Sequence, residues 1–409
     1  MKVRKLSQKE CIEWILIYIL FISHGSNILS FLKLTEVLSF AFVIFLLFIK
    51  FEYKITFEFY ALFALLFVNY IITGFMSNAG VSEGFNFSGF FDMLSVVLAV
   101  MLLYKLDIDV MTKFIKIVYF FSGISLIFYI IISIGAGSIL TKIFSVYNTG
   151  MGTVAGRLFF VYNLENPDRN AGIFTEPGIY QAILIMCIYV MLFLRERISL
   201  TEKELSRYLV VLLITLITTK SAAGYIGLIV ILVGILLKRK EKRDIVIVGI
   251  LIAGVTYLIF NYYTMGNDSI LQKYFFGKLV ETQENKLTLS SGGARLVAMQ
   301  MGWKAASTHP FGIGYLNWEK QLFQIYGQKF GTGNALFTQL GTRGFIAAFI
   351  SLYLVIKPAF VRKKGWIEFI VFLLLFLYIS IVQTKILYPA IVLVAFLPDI
   401  RMCGTVKRR

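Results

Sequence analysis

Only two histidines and three cysteines occur in 409 residues, and acidic side chains number 23 against 40 basic ones. No Cys/His or paired-aspartate pattern has ligand spacing, so a protein-held metal site is not expected. Cys11, Cys187 and Cys403 fall within apolar runs or beside basic clusters, and no structural disulfide is expected from them. A P-loop and a dinucleotide fingerprint are both missing, which leaves nucleotide hydrolysis without a visible site and points to no cofactor. No repeat stands out at half-chain spacing, and this weakens an inverted-repeat transporter.

Apolar surface is what the chain has in excess. Hydrophobic residues make up 58% of it, aromatics 16% and charged residues only 15%, with a mean hydropathy of +0.79. A soluble core cannot hide that much, so the fold class expected is an all-α polytopic membrane protein in a single domain over 1–409. Runs long enough to cross a bilayer, roughly 17 to 25 residues each, occur at 12–30, 34–49, 55–75, 88–104, 110–135, 177–194, 207–220, 222–237, 245–261, 334–356, 366–381 and 385–400. Twelve such helices put both termini on one side.

Lysine and arginine are retained on the cytoplasmic side. With the N-terminus inside, the basic clusters Lys2–Lys9, Arg195–Arg207, Lys238–Arg243, Lys357–Lys364 and Arg401–Arg409 all fall inside, and the register alternates without conflict. Topology and attraction to anionic lipid therefore explain most of the net charge of +17, with no need for a nucleic-acid partner. The first run is too long for a secretory signal and lacks a small-residue cleavage site, so a retained helix is expected.

Two connections, 136–176 and 262–333, are far longer than spanning requires, and both fall on the outer side. Chemistry is expected there. The first carries Arg157 and ends in Asn166-Pro-Asp-Arg169-Asn, a turn by composition, and then Thr175-Glu176-Pro177. Thr175 suits a helix N-cap, with Glu176 and Pro177 in the first turn. Glu176 then has two readings: it complements the helix dipole, or it reacts. The second loop contains Arg295, followed by Leu296, Met299, Trp303 and Ala306 at helical spacing, which reads as an interfacial amphipathic helix. His309-Pro-Phe-Gly-Ile-Gly314 follows, and Asn334 opens the next span, with Gly341 and Arg343 early in it.

Arg343 either snorkels or faces a wet cavity or an anion. Lys220 stands beside Ser221-Ala-Ala-Gly224, whose small residues would let two helices approach closely. A histidine before proline, as in His309, suits a turn as well as a base. Arg157, Arg169, Lys220, Arg295 and Arg343 together leave the outer face rich in cations and poor in carboxylates, which asks for an anionic ligand; guanidinium forks suit phosphate oxygens.

The stretch Arg169-Asn-Ala-Gly-Ile-Phe-Thr-Glu176-Pro-Gly, then Lys220-Ser-Ala-Ala-Gly-Tyr-Ile-Gly227, then Arg295 with Trp303, His309–Gly314 and Asn334–Gly344 resembles, in order and placement, the O-antigen and capsular polysaccharide polymerases. Their superfamily also includes the O-antigen ligases. Two departures stand out. Gly333 occupies the position of the histidine found before the asparagine in many members, and Ala222 follows Ser221 where an arginine is common. The ligase subgroup, in which that histidine is typical, fits less well, whereas Lys220 could supply the charge of the missing arginine.

The resemblance implies a glycosyltransferase-C-like, metal-independent polymerase in the bacterial cytoplasmic membrane. It would transfer a growing glycan from undecaprenyl diphosphate to the terminal hydroxyl of another lipid-linked repeat unit. Arg157, Arg169 and Arg295 are expected to hold the diphosphate, with Lys220, Arg343 and Asn334 as further binding candidates. Glu176 is the expected base and His309 the reserve. Lipid-linked oligosaccharides and membrane lipid are the implied partners, and association with a chain-length regulator stays open. A ligase and a lipid-linked sugar flippase are the alternatives.

Overall fold

The computed structural model describes residues 8–26, 57–76, 87–105, 110–137, 139, 142, 146–149, 152–155, 160–164, 167–239, 291–326 and 333–397. Twelve α-helices occur among them: α1 (Gln8–Ile22), α2 (Phe57–Met76), α3 (Phe87–Lys105), α4 (Val110–Ile131), α5 (Pro177–Phe193), α6 (Glu202–Thr218), α7 (Ala222–Arg239), α8 (Ser291–Thr308), α9 (Tyr315–Tyr326), α10 (Ala335–Val361), α11 (Trp366–Val382) and α12 (Pro389–Phe396). Val110–Ala136, Ala222–Arg239 and Ala335–Val361 are long and apolar enough to cross a membrane, and four shorter apolar helices accompany them. This is a helical membrane protein. The expected spans at 34–49 and 245–261, and Cys403, lie outside the described residues; Cys11 and Cys187 are free thiols.

The core is organised around α5. Its residues Ile183 through Cys187 are almost wholly buried, because α4, α6, α7, α11 and α12 all pack on it. Glycine permits the closest approach: a Cβ at Gly227 of α7 would come within 2.3 Å of the Ile185 side chain, and one at Gly224 within 3.4 Å of Gln181 Cβ. The small-residue start of α7 thus does bring two helices together. At its opposite end α6 is fixed by a capping box, in which Thr201 Oγ1 accepts from Glu204 N at 3.2 Å and Glu204 Oε2 accepts from Thr201 N at 2.9 Å.

Several expectations need correction. α1 stops at Ile22 rather than running to residue 30, since Gly25 turns the chain at φ +109° and His24 is committed elsewhere. Its Nδ1 donates to Leu20 O (3.0 Å), and its Nε2 accepts from Ala390 N (2.9 Å), satisfying an otherwise orphaned amide of α12. That helix has only eight residues, about 12 Å of rise, because it starts at Pro389 instead of 385 and ends at Phe396, with Leu397 as its C-cap, instead of 400. The segment 136–176 is also less plain than a helical fold class suggests: it holds a small antiparallel sheet, β1 (Val146–Thr149), β2 (Gly152–Ala155) and β3 (Tyr162–Asn163), in that order. Thr149 pairs with Gly152 across the hairpin.

α8 forms where an amphipathic helix was expected, and Leu296, Met299 and Trp303 are exposed as anticipated. Ala306, placed on the same stripe, is instead fully buried with Ala298 and Ala305. The packed face is the small-residue one, because α8 lies directly on α10: a Cβ at Gly302 would sit 2.1 Å from the Phe337 carbonyl oxygen.

Candidate functional site

The turn at 167–170 is held by Asn170, a fully buried side chain. Its Nδ2 donates to Ser125 Oγ of α4 (3.1 Å) and to Thr218 Oγ1 of α6 (3.1 Å). Its Oδ1 accepts from Gly172 N (3.0 Å). Gly172 sits at φ +59°, and a Cβ there would meet the Tyr180 ring at 2.7 Å, so the loop closes tightly on the first turn of α5. Phe174 packs on Phe21 and Tyr180, and Thr175 N donates to Gly25 O at 3.4 Å. A rigid loop thereby carries Arg169 to the head of α5, where its Nε donates to Thr219 O (3.3 Å).

Glu176, not Thr175, is the N-cap residue of α5. Its backbone is extended (φ −135°, ψ 140°), Pro177 follows at N1, and its side chain makes no capping hydrogen bond. Proline lacks the N–H that would otherwise need a partner there, so the carboxylate is not spent on the helix end. Burial raises the Glu176 pKa above the usual carboxylate value, while Arg295 and then Arg169 pull it back down.

Arg295 reaches the same place from the start of α8. Its Nε donates to Gly333 O (3.3 Å) and its Nη2 to Val382 O at the end of α11 (3.3 Å). Asn334 serves both neighbours: Nδ2 donates to Arg295 O (3.2 Å), and Oδ1 caps α10 by accepting from Phe337 N (3.3 Å). Gly333 lies at φ +56°, with its Cβ position 3.6 Å from Arg295 Nε. Burial lowers the pKa of both guanidinium groups, Glu176 opposes the shift in each, and Arg169 adds to the lowering at Arg295. Arginine starts so high that both stay cationic. Both half-buried cations thus feel Glu176, and Arg169 also feels Asp168, which Lys220 pairs; three cations against two carboxylates leave a net positive charge that favours an anion.

Tyr378 of α11 and Tyr225 of α7 were not foreseen. Tyr378 lies near Arg295, and Tyr225 lies near Arg169. An aromatic within a hydrophobic run offers no sequence signal for such a position.

The remaining candidates go elsewhere. Lys220, at φ +46°, pairs with Asp168 at 3.0 Å on the surface, and that bond holds Asp168 below the usual carboxylate range. Arg343 lies over the Tyr70 ring of α2, 4.6 Å from its centroid. His309 is exposed, with Nδ1 2.9 Å from Thr308 Oγ1. Arg157 lies outside the described residues.

The His309–Gly314 segment closes a break in α10. Gly344 departs from helical geometry (φ 82°, ψ −179°), which frees backbone groups on both sides of it. Phe345 N donates to Pro310 O (3.0 Å), Gly341 O accepts from Ile313 N (3.0 Å), and Thr342 O accepts from Gly314 N (2.9 Å). Arg343 O takes a bond from Asn69 Nδ2 (3.2 Å). Four of the backbone groups at the kink thereby find new partners.

Residues 208–338 match the O-antigen ligase family model. The matched segment runs from α6 to the first turn of α10, so it contains Lys220, Arg295 and Asn334, while Arg169 and Glu176 lie before it. The match agrees with the O-antigen ligase and polymerase superfamily and supports an enzyme of glycan processing. A search of curated proteins returned no match.

Proposed function

We propose that the protein is a polysaccharide polymerase acting on lipid-linked oligosaccharides. The observation that carries this reading is that Arg169 and Arg295, from segments far apart in sequence, both act electrostatically on an uncapped, largely buried Glu176 without pairing with it. Arg169 and Arg295 hold the diphosphate of the donor lipid and neutralise the charge that develops on it as the glycosidic bond breaks. Glu176 accepts the proton of the attacking sugar hydroxyl, and its raised pKa suits a base. Arg157 is a third diphosphate ligand. Asn334 acts through Arg295, and Lys220 and Arg343 have secondary parts at most, given their partners. His309 is an unattractive base, because its segment is occupied in bridging the kink of α10. The site opens to the outer face of the bacterial cytoplasmic membrane, within the two long loops 136–176 and 262–333, and both termini lie inside.

The description of the matched family favours a second reading, a ligase that moves finished glycan to another acceptor. Gly333, in place of a histidine, weighs against it. Comparing gel profiles of surface and lipid-linked glycan for the intact gene, its deletion and Arg169→Ala tests both. Collapse of a long ladder to one exported repeat unit supports the polymerase; long chains accumulating on carrier lipid support the ligase; units retained inside overturn both in favour of a flippase.

A further inference from the structure

The end of α5 remote from Glu176 carries a second cationic site. α5 has 17 residues, about 25 Å of helix, and a 3₁₀ turn, Arg195–Arg197, follows it. Arg197 is only 4% exposed. A guanidinium so deeply placed is costly unless its donors are met. Among the described residues its partners are carbonyls, not carboxylates: Nη1 donates to Leu397 O (3.1 Å) and Nη2 to Arg362 O, while Nε has no partner.

Arg197 lines a small cleft, open on one side and enclosing only about 20 Å³, together with Arg362, Lys363 and Glu368. One oxygen of Glu368 is taken by Lys238 at 2.9 Å; the other, Oε2, is buried and has no partner. The cleft thus holds three cations, one carboxylate already matched by a lysine from outside its lining, an unused buried donor and an unused buried acceptor. Its remaining wall is apolar, including Leu194, Phe372 and Val394.

We propose that this cleft binds the phosphodiester headgroup of an anionic phospholipid. Phosphate oxygens meet Arg197 Nε and Lys363, for which guanidinium and ammonium donors are suited. A headgroup hydroxyl donates to Glu368 Oε2, and the acyl stem lies along the apolar wall. Basic pockets between membrane helices are fitted to such headgroups. The site is independent of the glycan chemistry at the other end of α5.

The test uses the full-length protein in detergent, with native mass spectrometry to detect retained lipid and thermal unfolding to follow added phosphatidylglycerol, phosphatidylcholine or inorganic phosphate. Phosphatidylglycerol should be retained and should raise the melting temperature more than phosphatidylcholine does. Lys363→Gln should weaken its apparent affinity about tenfold, the usual scale for losing a charged hydrogen bond. Arg197→Gln should do the same where it folds, and Lys363→Gln decides the matter where it does not. Equal binding by wild type and Lys363→Gln, or no preference over phosphatidylcholine, overturns the proposal. A shift reproduced by inorganic phosphate alone overturns the lipid source while leaving an anion site.

Discussion

The head of α5 and the His309–Gly314 segment that bridges the break in α10 look alike in the sequence, each mixing glycine, proline and a charged or titratable side chain near an apolar run. In the structure they differ in what their polar groups do. At the α10 break, Phe345 N and the carbonyls of Gly341, Thr342 and Arg343 are taken up by the 310–314 backbone and Asn69, so these groups serve the backbone. At the head of α5, Glu176 caps nothing, and two arginines act on it electrostatically without pairing with it. Polar residues that complete a backbone are structural; those that leave charge unmatched in a half-buried place are candidates for chemistry.

Mutations can break or sharpen that contrast. Arg295→Ala and Arg169→Ala should each slow glycan extension by about a hundredfold or more, the scale for removing one fixed donor to a developing charge, as measured by turnover of lipid-linked repeat units. Glu176→Gln should also cost about a hundredfold if the carboxylate is the base. In the wild type the rate should fall on acidification with a midpoint above the usual glutamate value. The stability effect has the opposite sign: a raised folded-state pKa favours the neutral acid, so the contribution present below the unfolded pKa is lost as pH rises through the folded one. At neutral pH Glu176→Gln should therefore melt no lower than wild type, which separates a reacting carboxylate from a structural one.

Gly344→Ala should act on stability rather than on a reacting group. A Cβ there would sit 2.0 Å from Pro310 O at φ +82°, and left-handed strain alone costs about 1–3 kcal/mol, so a clear drop in melting temperature is expected. His309→Ala should change rate and stability least, since the side chain is exposed and its segment works through backbone atoms. Lys220→Ala should be nearly as mild, because its partner is a surface carboxylate and such pairs contribute little.

Much of the helical plan was legible because apolar length is a local property. α2, α3, α4, α7 and α11 lie close to their expected bounds. What was missed depends on contacts between distant segments. The end of α1 needs Gly25 and the bond from Ala390 to His24. The outward face of α8 excludes Ala306 only because α10 lies against it. The small sheet was announced by nothing stronger than the glycines of 148–152. Within the site, Arg169, Glu176 and Arg295 were legible from their positions beside apolar runs, whereas Tyr225 and Tyr378 were hidden among ordinary aromatics. Thr175 looked like the better cap by residue type, yet the chain turns helical one residue later, at Pro177.

The most direct test is the rate at which purified protein extends glycan from lipid-linked repeat units, compared for wild type, Arg169→Ala and Arg295→Ala, with melting temperatures measured alongside. The account predicts that each arginine variant folds and loses about a hundredfold or more in rate. A variant of either arginine that folds and extends glycan at the wild-type rate would contradict it.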